Sequence, residues 1–196
     1  MKFLDFKENN RVYHIISIID LEYALKDGIK YDDKQTYTTK YYEFHDYIDR
    51  YKEEKIPDWV VRKKAIFGSL DFNKNHKFHS HTALLSIKVD VEKCWIANEN
   101  LVNQIYEPFI LHKIDEYNKS KQYLENEGTR LLKKYWKTSC SFKENLDKRL
   151  DKVKEYDAEV LIFHDIKPSD IDILYIISDH RMMTNKEWKK HFCKEN

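Results

Sequence analysis

Three side chains with the chemistry to act on one another lie far apart in the chain. They are His14 in RVYHII, Arg62 in IPDWVVRKKAIFGSLDF and Glu159 in AEVLIF. His14 stands at the end of an apolar run, just ahead of a helical pattern, where polar groups often meet a ligand. Glu159 opens an apolar strand, a costly place for a carboxylate if it is buried without a partner. Arg62 is the only arginine of its stretch. Taken singly, each has a plain structural explanation: a half-buried histidine, a solvated strand-edge glutamate, a surface arginine.

Other clusters suggest other chemistry. NHKFHSH carries His76, His79 and His81. Imidazoles ligate zinc and similar ions, and alternation on an extended segment puts His79 and His81 on one face. The spacing lacks the helical H-E-x-x-H form and any cysteine partner, so surface histidines explain it as well and no metal site is assigned. RLLKKYWK, residues 130–137, pairs cations for phosphates with Tyr135 and Trp136 for base stacking. Its i,i+4 pairs, Leu131 with Tyr135 and Leu132 with Trp136, equally describe an ordinary amphipathic helix. Cys94, between Lys93 and Trp95, has no base beside it in sequence. Phosphate-loop and dinucleotide fingerprints are absent from a chain with three glycines.

The elements that must position these residues follow from periodicity and punctuation. Residues 11–16 read as a buried strand. Ser17 is placed to cap a helix whose Ile18, Leu21 and Leu25 share a face, and Gly28 ends it. A tyrosine-rich helix is expected over 39–54, and short strands at 65–70, 82–89 and 94–97. Residues 98–137 are helical in pattern, with breaks at Pro108 and near Gly128. Ser141 and Glu144 form a capping box for a helix to about Tyr156. Strands follow at 158–163 and 171–177, and a short amphipathic helix at 184–193. The order predicts an α+β fold, with a small mixed or antiparallel sheet and a helical insertion at about 98–156. A chain of 196 residues fits a single domain spanning 1–196.

Composition narrows the partners little. Charged residues make up 35% but cancel to a net +1, so overall charge points to neither nucleic acid nor membrane. Hydrophobic residues at 41% suffice for a core. The 14 tyrosines suit grooves and interfaces, though they also fit a biased composition rich in Lys, Asn, Ile and Tyr. Cys94, Cys140 and Cys193 are widely spaced, which argues against a disulfide framework or zinc ribbon. No signal-like segment opens the chain, and no run approaches the ~18 apolar residues of a membrane span. The expected location is cytoplasmic, with reduced thiols and no membrane partner.

VYHIISIIDLEYALKDGI resembles the opening of the diverse ADP-ribosyltransferase-like group. There a Y-H-x-T/S strand precedes a helix of LxxILxxGL pattern, matched here by Tyr13, His14 and Leu21 through Ile29. AEVLIFHDIKPSDI is similar to the AEVLV…VPPEYI segment of the DNA-targeting ADP-ribosyltransferase toxins. Ile16 stands where a threonine is common, Asp20 where those toxins have asparagine, and Phe67 where related enzymes often show tyrosine. The resemblance implies an NAD-dependent enzyme that cleaves the nicotinamide–ribose bond through an oxocarbenium-like transition state. It then passes ADP-ribose to a nucleic-acid or protein acceptor. It implies Glu159 and Arg62 as catalytic residues. Glu159 would stabilise the developing charge, and Arg62 would hold the pyrophosphate or place the acceptor. Binding of NAD would fall to His14, Tyr13, Ser17 and Phe67, with His14 on a ribose hydroxyl. Tyr13, Phe67, Tyr41 or Tyr42 would supply a ring for nicotinamide.

Two other expectations stand beside this one. A catalytically inert binding or regulatory module could share the fold, which Ile16 and Phe67 suit. A nucleic-acid-binding protein or nuclease could use the histidines of 76–81 and the basic stretch 130–137.

Overall fold

The structure, a computed structural model, describes residues 3–31, 39–72, 78–179 and 181–192. It is α+β, and every strand pair described below is antiparallel. The chain forms two compact units, each from separate segments. The first comprises Met1–Tyr31, Phe67–Asp90 and His164–Asn196; the second comprises Asp32–Ile66 and Val91–Phe163.

The first unit is built on strands β1 (Val12–Ser17), β2 (Ile66–Ser69, entering the unit at Phe67), β3 (Thr82–Ile87), β7 (Ile171–Ser178) and β8 (Arg181–Thr184), in the order β2-β1-β3-β7-β8. Valine, isoleucine and tyrosine dominate β1 and β7, residues that pack well on a pleated surface. β3 is the centre, with Leu84 facing Ile15 on one side and Tyr175 on the other. Tyr13, Leu84 and Ile177 form a core cluster with Phe3, Phe72 and Phe78 against it. At one edge Arg11 donates to the carbonyls of Ser86 and Asp170 and pairs with Asp172, tying β1 to the start of β7.

The short helices α1 (Phe6–Asn9) and α2 (Leu21–Asp27) flank β1, and α8 (Asn185–Phe192) follows β8. Asp5 and Glu8 close a capping box around α1. The cap expected from Ser17 does not form. Ser17 ends β1 in extended backbone, Ile18–Asp20 make a turn, and α2 starts at Leu21 behind Asp20 with no side-chain cap. That shift turns the helix, so Ala24 is its buried residue and Leu25 is exposed. Gly28 does end it, with φ of 83°. A Cβ there would stand 2.2 Å from the Ile166 carbonyl oxygen. Only glycine lets Ile29 pair with Ile166 that closely.

The second unit carries β4 (Cys94–Asn98), β5 (Cys140–Ser141) and β6 (Ala158–Ile162), in the order β5-β4-β6. Around them lie α3 (Thr39–Asp49), α4 (Glu99–Leu111), α5 (Asn118–Tyr123), α6 (Thr129–Lys137) and α7 (Phe142–Lys148). Trp136, Tyr135, Phe142, Leu132, Ile105 and Ile48 are fully buried. α4 runs through Pro108, because Ile105 and Phe109 anchor that face in the core and offset the missing N–H. Near Gly128 the helix widens into a π-turn, Leu124–Gly128, that leads directly into α6. α7 stops well short of Tyr156. Arg149 turns left-handed, its N–H bonded to the Asn145 carbonyl, and its guanidinium clamps Asp151 beside buried Asn145.

Among the described residues, no helix is long and apolar enough to cross a membrane.

Candidate functional site

In the second unit, α3 ends at Asp49 because its carboxylate turns to the next segment. Asp49 accepts the backbone N–H groups of Arg62 and Lys63 at 2.8 and 3.0 Å. This pins the single turn Arg62–Lys64, just after the turn that Pro57 opens, and Lys63 reinforces it by an ion pair to Asp46. Arg62 is thereby driven inward and is 3% exposed.

What Arg62 meets there is Glu159. Its Nη2 donates to both carboxylate oxygens, at 3.0 Å to Oε1 and 2.7 Å to Oε2. Arg62 Nε donates to the Tyr135 hydroxyl at 3.0 Å, and that hydroxyl donates on to Glu159 Oε1 at 2.7 Å. Arg62 Nη1 contacts His45 Nδ1, which must accept, since a guanidinium only donates. Glu159 sits on β6 opposite Ala97 of β4 and is 3% exposed. Burial works against the Arg62 charge, but Glu159 and Tyr135 outweigh it and its pKa is raised. Burial pushes the Tyr135 phenol well above its ordinary range.

Glu99, the first residue of α4, lies half-buried near this group. Burial, then the negative charges of Glu159 and Asp157, push its pKa up to about 7. The second unit therefore holds one carboxylate tied to an arginine and another poised to carry a proton near neutrality.

The residues expected to bind NAD lie in the first unit. His14 on β1 places Nδ1 2.6 Å from the Phe67 carbonyl oxygen. A carbonyl only accepts, so Nδ1 carries the proton. Burial lowers the His14 pKa below its ordinary value, against the pull of that hydrogen bond. The imidazole is then neutral, and Nε2 is an acceptor suited to a hydroxyl.

Phe67 is half-buried. Ser17 is half-buried too, its Oγ accepting the Ile19 N–H at 3.4 Å. Tyr13 is placed differently from its expected role. Its ring packs against Phe3 and Phe72, 3% exposed. Its hydroxyl donates to the Leu4 carbonyl and accepts from the Leu4 N–H and Asn9 Nδ2. Tyr13 fastens the N-terminal segment, and its ring is not free for nicotinamide. In the second unit Tyr41 is exposed and stacks on Tyr106, and Tyr42 lies under Lys63.

The basic–aromatic stretch is α6, and Tyr135 and Trp136 are fully buried, so neither can stack on a base. His79 lends its carbonyl to Thr82, and exposed His81 lies 3.8 Å from Asp179. His76 lies outside the described residues, as does Cys193. Among the described residues no group of three or more His, Cys, Asp and Glu is arranged to hold a metal. Cys94 and Cys140 are buried, and neither is in a disulfide.

Sequence reasoning therefore singled out Arg62 and Glu159, which the fold brings together, but missed Tyr135, His45 and Glu99 as their neighbours. A signal for Tyr135 existed. A glutamate in an apolar strand needs donors, and an inward tyrosine on an amphipathic helix is one. His45 and Glu99 carried no such mark. Comparison with known proteins finds no matching family model, no matching curated protein and no matching solved structure.

Proposed function

We propose that the protein is an ADP-ribosyltransferase-like enzyme that uses NAD, with Glu159 and Arg62 as its reacting pair. The observation that carries this reading is their meeting. Two residues proposed from separate motifs are joined by paired hydrogen bonds inside one unit. In the reaction the nicotinamide–ribose bond breaks, nicotinamide leaves with the bonding electrons, and positive charge develops on the ribose. The Glu159 carboxylate stabilises that charge. Arg62 fixes the plane of the carboxylate through its two hydrogen bonds to it. The neutral His14, with Nε2 as acceptor, suits a ribose hydroxyl. The acceptor is a nucleic acid or a protein.

A second reading rests on one observation. Glu159 is 3% exposed, and both of its oxygens already hold donors. A carboxylate so occupied suits a catalytically inert binding module on the same fold.

Nicotinamide release from NAD by the full chain separates these readings, measured with and without DNA, RNA and cell lysate. Glu159→Gln is the partner variant, its fold checked by circular dichroism. Release by the wild type that vanishes in a folded Glu159→Gln supports the enzyme. NAD binding without release gives the inert module. Absence of both binding and release overturns the proposal.

A further inference from the structure

We propose that the second unit holds a separate binding cavity for a small organic phosphate with a flat ring, the class that mononucleotides exemplify. The cavity measures about 540 Å³, within the range of small-molecule sites. It opens where α6 ends and β5 begins. Three lysines line it, Lys55, Lys137 and Lys148, against one acid, Glu144. Lys148 is paired with Glu144, and Lys55 with Glu53, which is not part of the lining. Lys137 has no ion pair among the described residues, although it was set out by the same stretch whose aromatic residues turned inward.

The remaining donors of the wall are already committed. The Thr138 hydroxyl donates to the Lys134 carbonyl at 2.8 Å, and the Ser139 hydroxyl to the Trp136 carbonyl at 2.8 Å. Tyr156 donates to the Thr138 carbonyl at 3.2 Å, and Trp95 Nε1 to Ser139 Oγ at 2.8 Å. These bonds satisfy the carbonyls at the α6 C-terminus and leave only ammonium N–H groups to offer a ligand. The same lining includes the apolar side chains Ile56, Trp95 and Leu150. Cys140, also in the lining, has its thiol pushed up to about 12 by burial, so it contributes bulk rather than a nucleophile. A lining that combines cationic donors with apolar surface selects an anion with a flat apolar body. Inorganic phosphate or a neutral ring would satisfy only half the site.

Isothermal titration of the full chain with AMP, adenosine and inorganic phosphate at low salt tests this, with and without saturating NAD. AMP should bind with a dissociation constant below about 1 mM, at least about tenfold tighter than adenosine or phosphate. Lys137→Ala should weaken AMP about tenfold, and Lys137→Arg should restore most of it. Saturating NAD should leave that binding unchanged. Lys137 is exposed, so the substitutions leave the core untouched. No AMP binding, adenosine binding as tightly as AMP, or AMP binding indifferent to Lys137→Ala would each overturn the proposal. AMP displaced by NAD and unaffected by Lys137→Ala would place it at the NAD site instead.

Discussion

Arg62 and Glu159, 97 residues apart in the chain, meet through hydrogen bonds of 3.0 and 2.7 Å, and the Tyr135 hydroxyl closes a triangle between them. With both side chains about 4% exposed, the pair is desolvated, so its net contribution to stability is small while the penalty for breaking it is large.

A double-mutant cycle should show this imbalance. Arg62→Met or Glu159→Leu alone should destabilise by about 3–5 kcal/mol, since each leaves a buried charge without its partner. The double variant should lose less than either single change. Urea unfolding of the four proteins measures the coupling. Additive losses would show that the two charges act independently.

Glu99 should give the protein a pH-dependent stability of definite sign. Its folded pKa, about 7, lies above the ordinary carboxylate value of 4.5. Between those values the folded state holds more protons than the unfolded state. Stability from this group therefore falls as pH rises through that window and levels off above it. The loss is of order 3 kcal/mol. Glu99→Gln should flatten the profile, gaining on the wild type at pH 8 but not at pH 4.5. Urea midpoints compared at the two pH values check it.

His14 should act in the opposite direction. Its folded pKa is depressed below 6.5, so the folded state binds fewer protons than the unfolded state as pH falls under that value. Its stabilising contribution is full above 6.5 and is lost on acidification. Nitrogen-15 spectra of labelled histidine at pH 7 should show Nδ1 protonated and Nε2 bare. A protonated Nε2 would refute the tautomer that the Phe67 carbonyl imposes.

Gly28→Ala should be among the most damaging small substitutions. It combines a positive φ with a carbonyl 2.2 Å from the new Cβ. The loss should exceed about 1 kcal/mol, and amide exchange at Ile29 and Ile166, which bond to each other, should quicken together. Unchanged exchange there would mean the strand pair tolerates a side chain.

How far the sequence spoke depended on where each feature's cause lay. β1, β6 and β7 were legible because runs of Ile, Val, Leu and Tyr announce buried strands by themselves. β8 was not, since RMMT has no such preference and is held by pairing with β7. The end of α7 rests on Arg149 in a left-handed conformation that glycine usually supplies. Ser17 had the right chemistry for a cap, but the strand kept it. At the candidate site, Glu159 showed its need of a partner, whereas the identity of its donors depended on two distant pieces of chain, the Arg62–Lys64 turn held by Asp49 of α3 and the helix α6 that carries Tyr135. The neutrality of His14 depended on a carbonyl 53 residues later.

The alternation of the chain between its two units bears on its birth at the ribosome. β3 emerges with β1 ready beside it, but its other edge waits for β7, and all of 88–170 is made in between. At roughly 5–20 residues per second that edge stays bare for several seconds. Its side chains Ala83, Leu84, Leu85 and Ile87 are all destined for the interior. The nascent chain therefore presents a sticky unpaired strand while the second unit is still being synthesised, a stage at which a holding chaperone would raise the yield of folded protein.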